Sequence, residues 1–174
     1  MGTSARRRES LRNKLVRWRI NLFYFLASSG TRATYVSDDW LEAELTVKLN
    51  WRNRNYRGTI FGGTLYSALD PVYMLMIARN LGPEYSVWDT RATIHFKKAG
   101  RGKLYAHFRI EEAELRAIRE LTAGGEAVER QYTATLVDRE GTPHVVVEKT
   151  IYIRKRDPNK AHGKDRVSSM LQMR

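Results

Sequence analysis

Asp70 is the only charged residue between Arg57 and Arg79, and Pro71 follows it at once. It stands in the run NYRGTIFGGTLYSALDPVYMLMIAR, residues 55–79, which is otherwise mostly apolar or small. Upstream, Gly58, Gly62 and Gly63 lead into a helical pattern whose first N–H groups have no internal partners. Such an end stabilises negative charge, whether a phosphate or the developing oxyanion of an attacked carbonyl. Asp70 lies seven residues after Gly63, two turns along the same face. An amide and a carboxylate flanking one space suit attack on an ester or thioester, with Asp70 as nucleophile or as general base for water. A structural reading competes. Asp before Pro is also a helix-start signal, with Asp as N-cap and Pro at the first helical position. The apolar helix would then be kinked or in two pieces at Asp70. The two readings are compatible, since a kink could aim the carboxylate into a cleft.

Other chemistries find less support. The chain has no cysteine, which excludes disulfides and thiolate metal sites. Its four histidines, His95, His107, His144 and His162, are far apart and show no metal-ligand spacing. The net charge of +12 sits at the two ends: residues 1–20 contribute +6, residues 154–174 contribute +5, and the stretch between them is nearly balanced. A nucleic-acid-binding domain would carry a basic stripe on its folded surface, so the neutral middle argues against that partner. Basic ends suit loose contact with membranes or other anionic partners.

The elements that must position Asp70 can be read from periodicity. Residues 5–27 predict an amphipathic helix, with Leu11, Leu15, Trp18, Leu22 and Phe25 in a 4-3-4-3 stripe. Packing of that stripe on the domain is the favoured reading. The alternative is interfacial membrane contact through Trp18, Phe23 and Phe25 beneath basic residues. The uncharged run 20–31 faintly resembles a signal peptide, but its basic region is too long and its apolar stretch too short. Residues 59–78 have the length of a membrane span, yet a central Asp costs roughly 3 kcal/mol on insertion scales. A buried helix from about Gly63 to Leu81, stopped by LGPE, is the better reading.

Around that helix the pattern alternates. Leu41, Ala43, Leu45, Val47 and Leu49 form one strand face before it. Four faces follow it: Trp88, Ala92, Ile94 and Phe96; Leu104, Ala106, Phe108 and Ile110; Val128, Tyr132, Ala134 and Leu136; and Val145, Val147, Ile151 and Ile153. A short charged helix, EEAELRAIREL, interrupts the series, and KAGRGK and DREG read as turns between neighbouring strands. Short turns make antiparallel neighbours, and one-sided strands need an apolar cover. A curved antiparallel sheet should therefore wrap around the helix of residues 63–81. The organisation is a basic N-terminal helix and linker over 1–38, one α+β domain over 39–154, and a polar, mobile tail over 155–174.

This layout and its central motif resemble the hotdog-fold acyl-CoA thioesterases, over about residues 40–154. The motif is similar to that of the phenylacetate-pathway (PaaI-type) group, N-x-x-G-x-x-H-G-G-x6-D. Asn55, Gly58, Gly62, Gly63 and Asp70 fall in register, and Phe61 stands where that group has His. The longer run from Asn53 to Ala106 looks like an uncharacterised bacterial branch of the superfamily. The resemblance implies a homodimer or a dimer of dimers with active sites at the subunit interface, and an acyl-CoA or other acyl-thioester ligand. It implies that the Gly62 amide polarises the thioester carbonyl, that Asp70 attacks or activates water, and that Asn55 orients substrate or water. It calls for no cofactor beyond the coenzyme A of the substrate itself, and fits a cytoplasmic protein, with peripheral contact at the inner face of a membrane as the variant. Phe61 makes the mouth of the pocket more apolar, which suits a fatty acyl chain or reduces turnover.

The remaining candidates follow from position. Lys97, Lys98, Arg101 and Lys103 in FKKAGRGK could meet the phosphates of coenzyme A, against a plain solvated hairpin. Arg52, Arg54 and Arg57 would make the mouth basic on a second side and steer an anionic ligand. Tyr66, Tyr73, Met74 and Ile77 pack in the core or line an acyl tunnel. Gly63 joins Gly62 at the oxyanion end. His95 and His107 fall on polar strand faces, and Asp89, set opposite Trp88, is assigned no role.

Overall fold

Pro71 does not break the helix that contains it. In the computed structural model, which describes residues 9–22 and 29–156, Gly62–Leu81 is one helix of 20 residues. Asp70 is therefore not an N-cap, and the helix start is Gly62, after Phe61. Proline lacks the N–H that would bond the carbonyl of Ser67, yet tertiary packing outweighs the loss. Thr64, Leu65, Ala68, Leu69, Tyr73, Met76, Ile77 and Leu81 are all buried.

The elements in chain order are α1 (Leu11–Leu22), β1 (Thr31–Val36), β2 (Glu42–Lys48), α2 (Gly62–Leu81), β3 (Tyr85–Phe96), β4 (Lys103–Arg109), α3 (Glu112–Leu121), β5 (Ala127–Val137) and β6 (Pro143–Lys155). Six antiparallel strands form one sheet in the order β1-β2-β4-β5-β6-β3. The sheet closes over α2, with Val47, Phe108, Leu136, Val145, Val147, Ile151 and Ile153 fully buried against it.

Three expectations are corrected. The stretch read as linker contains β1. Its alternation is broken by a bulge between Ala33 and Tyr35, so no period of two shows in TRATYV. KAGRGK does not join neighbours: β3 pairs with β6 at the sheet's edge, whereas β4 lies between β2 and β5. The loop instead crosses beneath the entry to α2, where the Ile60 N–H donates to the carbonyl of Gly100 at 2.8 Å. Finally, Trp88 does not share a face with Ala92, Ile94 and Phe96. A bulge between Asp89 and Arg91 inserts one residue, so Tyr85, Val87 and Asp89 lie on the inner sheet face before it, and Ala92, Ile94 and Phe96 lie on that face after it, opposite Lys149, Val147 and Val145.

α1 packs on the domain, but not by the predicted stripe. Leu11, Leu15 and Trp18 are exposed, and the side that meets β1 carries Asn13, Val16, Ile20 and Asn21. Asn21 both donates to the carbonyl of Ala33 at 2.9 Å and accepts its N–H at 2.7 Å. Asn13 donates to the carbonyl of Ser37 at 2.6 Å. These amides stand in for a further strand and cover the β1 edge. Phe23, Phe25 and the tail beyond residue 156 lie outside the described residues. Replacement of Asn21 by Ala removes both bonds to Ala33. It should cost about 1–2 kcal/mol, read as a lower urea midpoint at unchanged m value.

Candidate functional site

β6 presents Val145, Val147, Lys149, Ile151 and Ile153 to the inside of the sheet, a lysine among four apolar residues. A buried ammonium must find partners for its three donors. Lys149 finds them all. It reaches the main-chain oxygen of Asp70, Oδ1 of Asp70 at 3.0 Å and Oδ2 of Asp89 at 2.8 Å. Its side chain is 0% exposed, whereas that of Asp70 is 38% exposed. One carboxylate is thus tethered from below and open from above.

α2 carries Asp70 over the sheet toward Lys149, and Asp89 faces inward in phase with Tyr85 and Val87, just before the β3 bulge. Asp89 therefore has the contact that its position opposite Trp88 did not suggest. Burial raises its pKa above the ordinary carboxylate value, Lys149 pulls it back, and the charge of Asp70 pushes it up again. Its Oδ1 is buried without a hydrogen-bond partner. Tyr66 lies one turn before Asp70. Burial first, then its hydrogen bond to Asp70, pushes its hydroxyl up to about 12, so it remains a neutral donor.

The other predicted residues are distributed as follows. Asn55 is the organiser of its own loop: Oδ1 accepts the N–H groups of Arg57 at 3.0 Å and Thr59 at 3.1 Å, and Nδ2 donates to Thr59 Oγ1 at 2.9 Å. That loop closes through Gly58, whose φ of 73° suits glycine. Arg57 is exposed beside Tyr56, and Phe61 is 58% exposed at the start of α2, its ring over Gly63. Gly62 abuts the ring of Phe96, 3.2 Å from where a Cβ would stand. Lys97 and Arg101 are exposed in the loop beside this helix entry, and Lys98 lies 3.6 Å from Asp138. Tyr73 is buried, stacked on Tyr132, while Met74 is half-buried against the core. His95 and His107 are exposed, as their strand positions imply.

An apolar cavity of about 70 Å³ lies on the other side of α2, against Ala68, Pro71, Val72, Leu75 and Met76 and lidded by Ile20. It faces away from Asp70, since residues 68, 72 and 75 are half a turn from 66, 70 and 77. An acyl group attacked at Asp70 would not lie there. No group of three metal-ligating side chains occurs among the described residues.

A family model described as "Domain of unknown function (DUF4442)" matches residues 13–153. The chain belongs to the DUF4442 family. None of the curated proteins matches it. Among solved structures, a Pseudomonas aeruginosa protein of unknown function described as "Probable Thioesterase" is similar at a TM-score of 0.71 and 16% identity, covering 82% of this chain and 95% of that one. A Chlorobaculum tepidum protein of unknown function is similar at 0.65 and 17%, covering 82% and 94%. A Haemophilus influenzae thioesterase is similar at 0.61 and 12%, covering 88% and 97%. These likenesses establish the hotdog fold for this DUF4442 chain.

Lys149 was the residue missed in the sequence, and a signal for it existed. It falls on the face of Val147 and Ile151, an inward position that a lysine occupies only with partners. Lys149→Met should destabilise the fold by about 3–5 kcal/mol, because two carboxylates are left without their cation. The sign with pH follows from Asp89. An acid whose folded pKa is raised binds its proton more tightly in the native state, so stability falls as pH rises through that value. Lys149 is what restrains the rise. The loss in Lys149→Met should therefore be larger at pH 8 than at pH 5, measured by urea midpoints; equal losses would mean that packing alone is at stake.

Proposed function

We propose that this protein hydrolyses an acyl thioester, with Asp70 as the catalytic carboxylate. The observation that carries the reading is the Asp70 carboxylate itself, partly open to solvent on one side and held by a fully buried lysine on the other. As general base it would take a proton from water, whose oxygen attacks the thioester carbon; the C–S bond breaks and the thiol leaves with a proton. As nucleophile it would form an anhydride that water then opens. The fold shared with structures described as thioesterases supports this chemistry over other uses of an isolated carboxylate. Acyl-CoA is the proposed substrate, with Lys97, Arg101 and Arg57 near the helix entry as phosphate contacts and Phe61 beside the acyl group. The register of Asn55, Gly62 and Asp70 supports the phenylacetate-type branch within the fold.

Helix geometry supports a homodimer. Gly62 and Asp70 are eight residues apart on an unbroken helix, so about 12 Å of axial rise separates them. An amide and a carboxylate that far apart cannot act on one carbonyl. In this reading the amide comes from a second copy, and β3 offers the edge. Among the described residues it pairs only with β6, and Thr90–Thr93, His95 and Phe96 are exposed along it, whereas α1 covers the opposite edge. A non-catalytic acyl-binding protein is the second reading. It is favoured by Phe61 in place of a polar residue and by an Asn55 side chain already engaged within its own loop.

Free-thiol release from a panel of acyl-CoAs tests these readings. Asp70→Asn should lower the best rate by at least ~100-fold without unfolding the chain; an unchanged rate rejects the site. Gly62→Pro removes the amide at a position whose backbone suits proline, since Phe61 at φ −59° and ψ 133° is already extended, and the exposed Phe96 ring need give by only a few tenths of an ångström. Each variant alone should be inactive. Co-refolded in equal amounts, the two should recover about a quarter of wild-type activity, because half the dimers are mixed and one of their two sites is intact. No recovery would place both groups in one subunit.

A further inference from the structure

Among the described residues the domain covers one side of the N-terminal helix and leaves an apolar stripe on the other. Asn13, Val16, Ile20 and Asn21 lie against β1, with Asn13 buried. On the opposite side Leu11, Leu15 and Trp18, spaced four and three apart, are 78%, 65% and 62% exposed. Three large apolar side chains in one stripe are not the scattered exposure that any surface shows. The stripe is aimed outward by design of the other face, because the Asn13 and Asn21 bridges to β1 fix the rotation of the helix about its axis.

Charge decides what covers the stripe. Arg12 and Lys14 are exposed and flank it on its two sides. Residues 1–20 hold seven Lys and Arg against one acid, while the rest of the domain is nearly neutral. A groove on another protein would need only the apolar stripe. Basic residues on both flanks suit a surface that is apolar within and anionic at its rim, where long cationic side chains extend to phosphates while Leu and Trp sit deeper. Among the described residues no helix is long and apolar enough to cross a membrane, so such contact would be made from one side.

We propose that α1 docks the protein on an anionic phospholipid surface, with Leu11, Leu15 and Trp18 at the headgroup–acyl boundary and Arg12 and Lys14 at the level of the phosphates. This is independent of the thioester chemistry, and its test uses no substrate. The full chain is sedimented with vesicles of phosphatidylcholine alone and of phosphatidylcholine mixed equally with phosphatidylglycerol. Binding is expected on the mixed vesicles, weakening with salt, and little on the neutral ones. Leu11→Ser/Leu15→Ser should reduce partitioning at least ~10-fold with an unchanged urea midpoint, because both side chains are solvent-exposed. Arg12→Glu/Lys14→Glu should do the same and remove the preference for phosphatidylglycerol. Failure to bind mixed vesicles overturns the proposal. So does binding that survives Leu11→Ser/Leu15→Ser, which would reduce it to the charge of the chain ends. Loss of concentration-dependent self-association in that variant, with vesicle binding unaltered, would assign the stripe to a second copy of the chain.

Discussion

The ammonium of Lys149 is the interaction on which the site depends. Charged and fully enclosed, it would be prohibitively costly to bury without partners, and its three donors are matched by oxygens of Asp70 and Asp89. The match binds three elements together: α2 through Asp70, β3 through Asp89, and β6 through the lysine itself. Two of the three carry an unusual feature where they contribute. α2 carries a proline next to Asp70, and β3 carries a bulge next to Asp89. Local irregularity is where a fold departs from self-consistency for the sake of a site.

Two carboxylates and one cation leave an excess of negative charge in a semi-enclosed place. The cluster divides it unequally. Asp89 is deeper, its pKa raised by burial, and one of its oxygens lacks a partner. Asp70 is the more open of the two and takes Tyr66 as a further donor. The apolar cavity on the far side of α2 plays no part in this division.

The two sheet edges are treated differently, and this organises the outer surface. α1 closes the β1 edge with asparagine amides that imitate a ladder and leaves its own Leu and Trp stripe outward. Among the described residues nothing pairs with the free side of β3, which lies beside the Asp70 cluster and the glycine entry to α2. An edge strand of this length is a template for pairing unless charge, a bulge or a covering element blunts it. On one continuous helix the Gly62 amide and the Asp70 carboxylate lie about two turns apart, so in the proposed reading a second copy completes the chemistry.

Much of the fold was legible along the chain. The central helix, five of six strands and the charged α3 follow from period, because burying one face of a strand or all of a helix imposes a repeat that survives in sequence. Asp70 was legible too, as a lone charge in an apolar run. What was hidden lay where a bulge resets the period. β1 vanished behind the irregularity at Ala33 and Tyr35, and Asp89 seemed to face away because alternation was counted through the insertion after it. Whether Asp70 caps a helix or serves a cluster could not be read from Asp-Pro, since both use the same two residues. The fold decided it, because only packing against the sheet could keep Pro71 inside a continuous helix and bring Lys149, 79 residues away, to the carboxylate. Sequence carries periodicity and composition, which are local. The pairing of a buried charge is a property of distant segments meeting, and it exists only once they do.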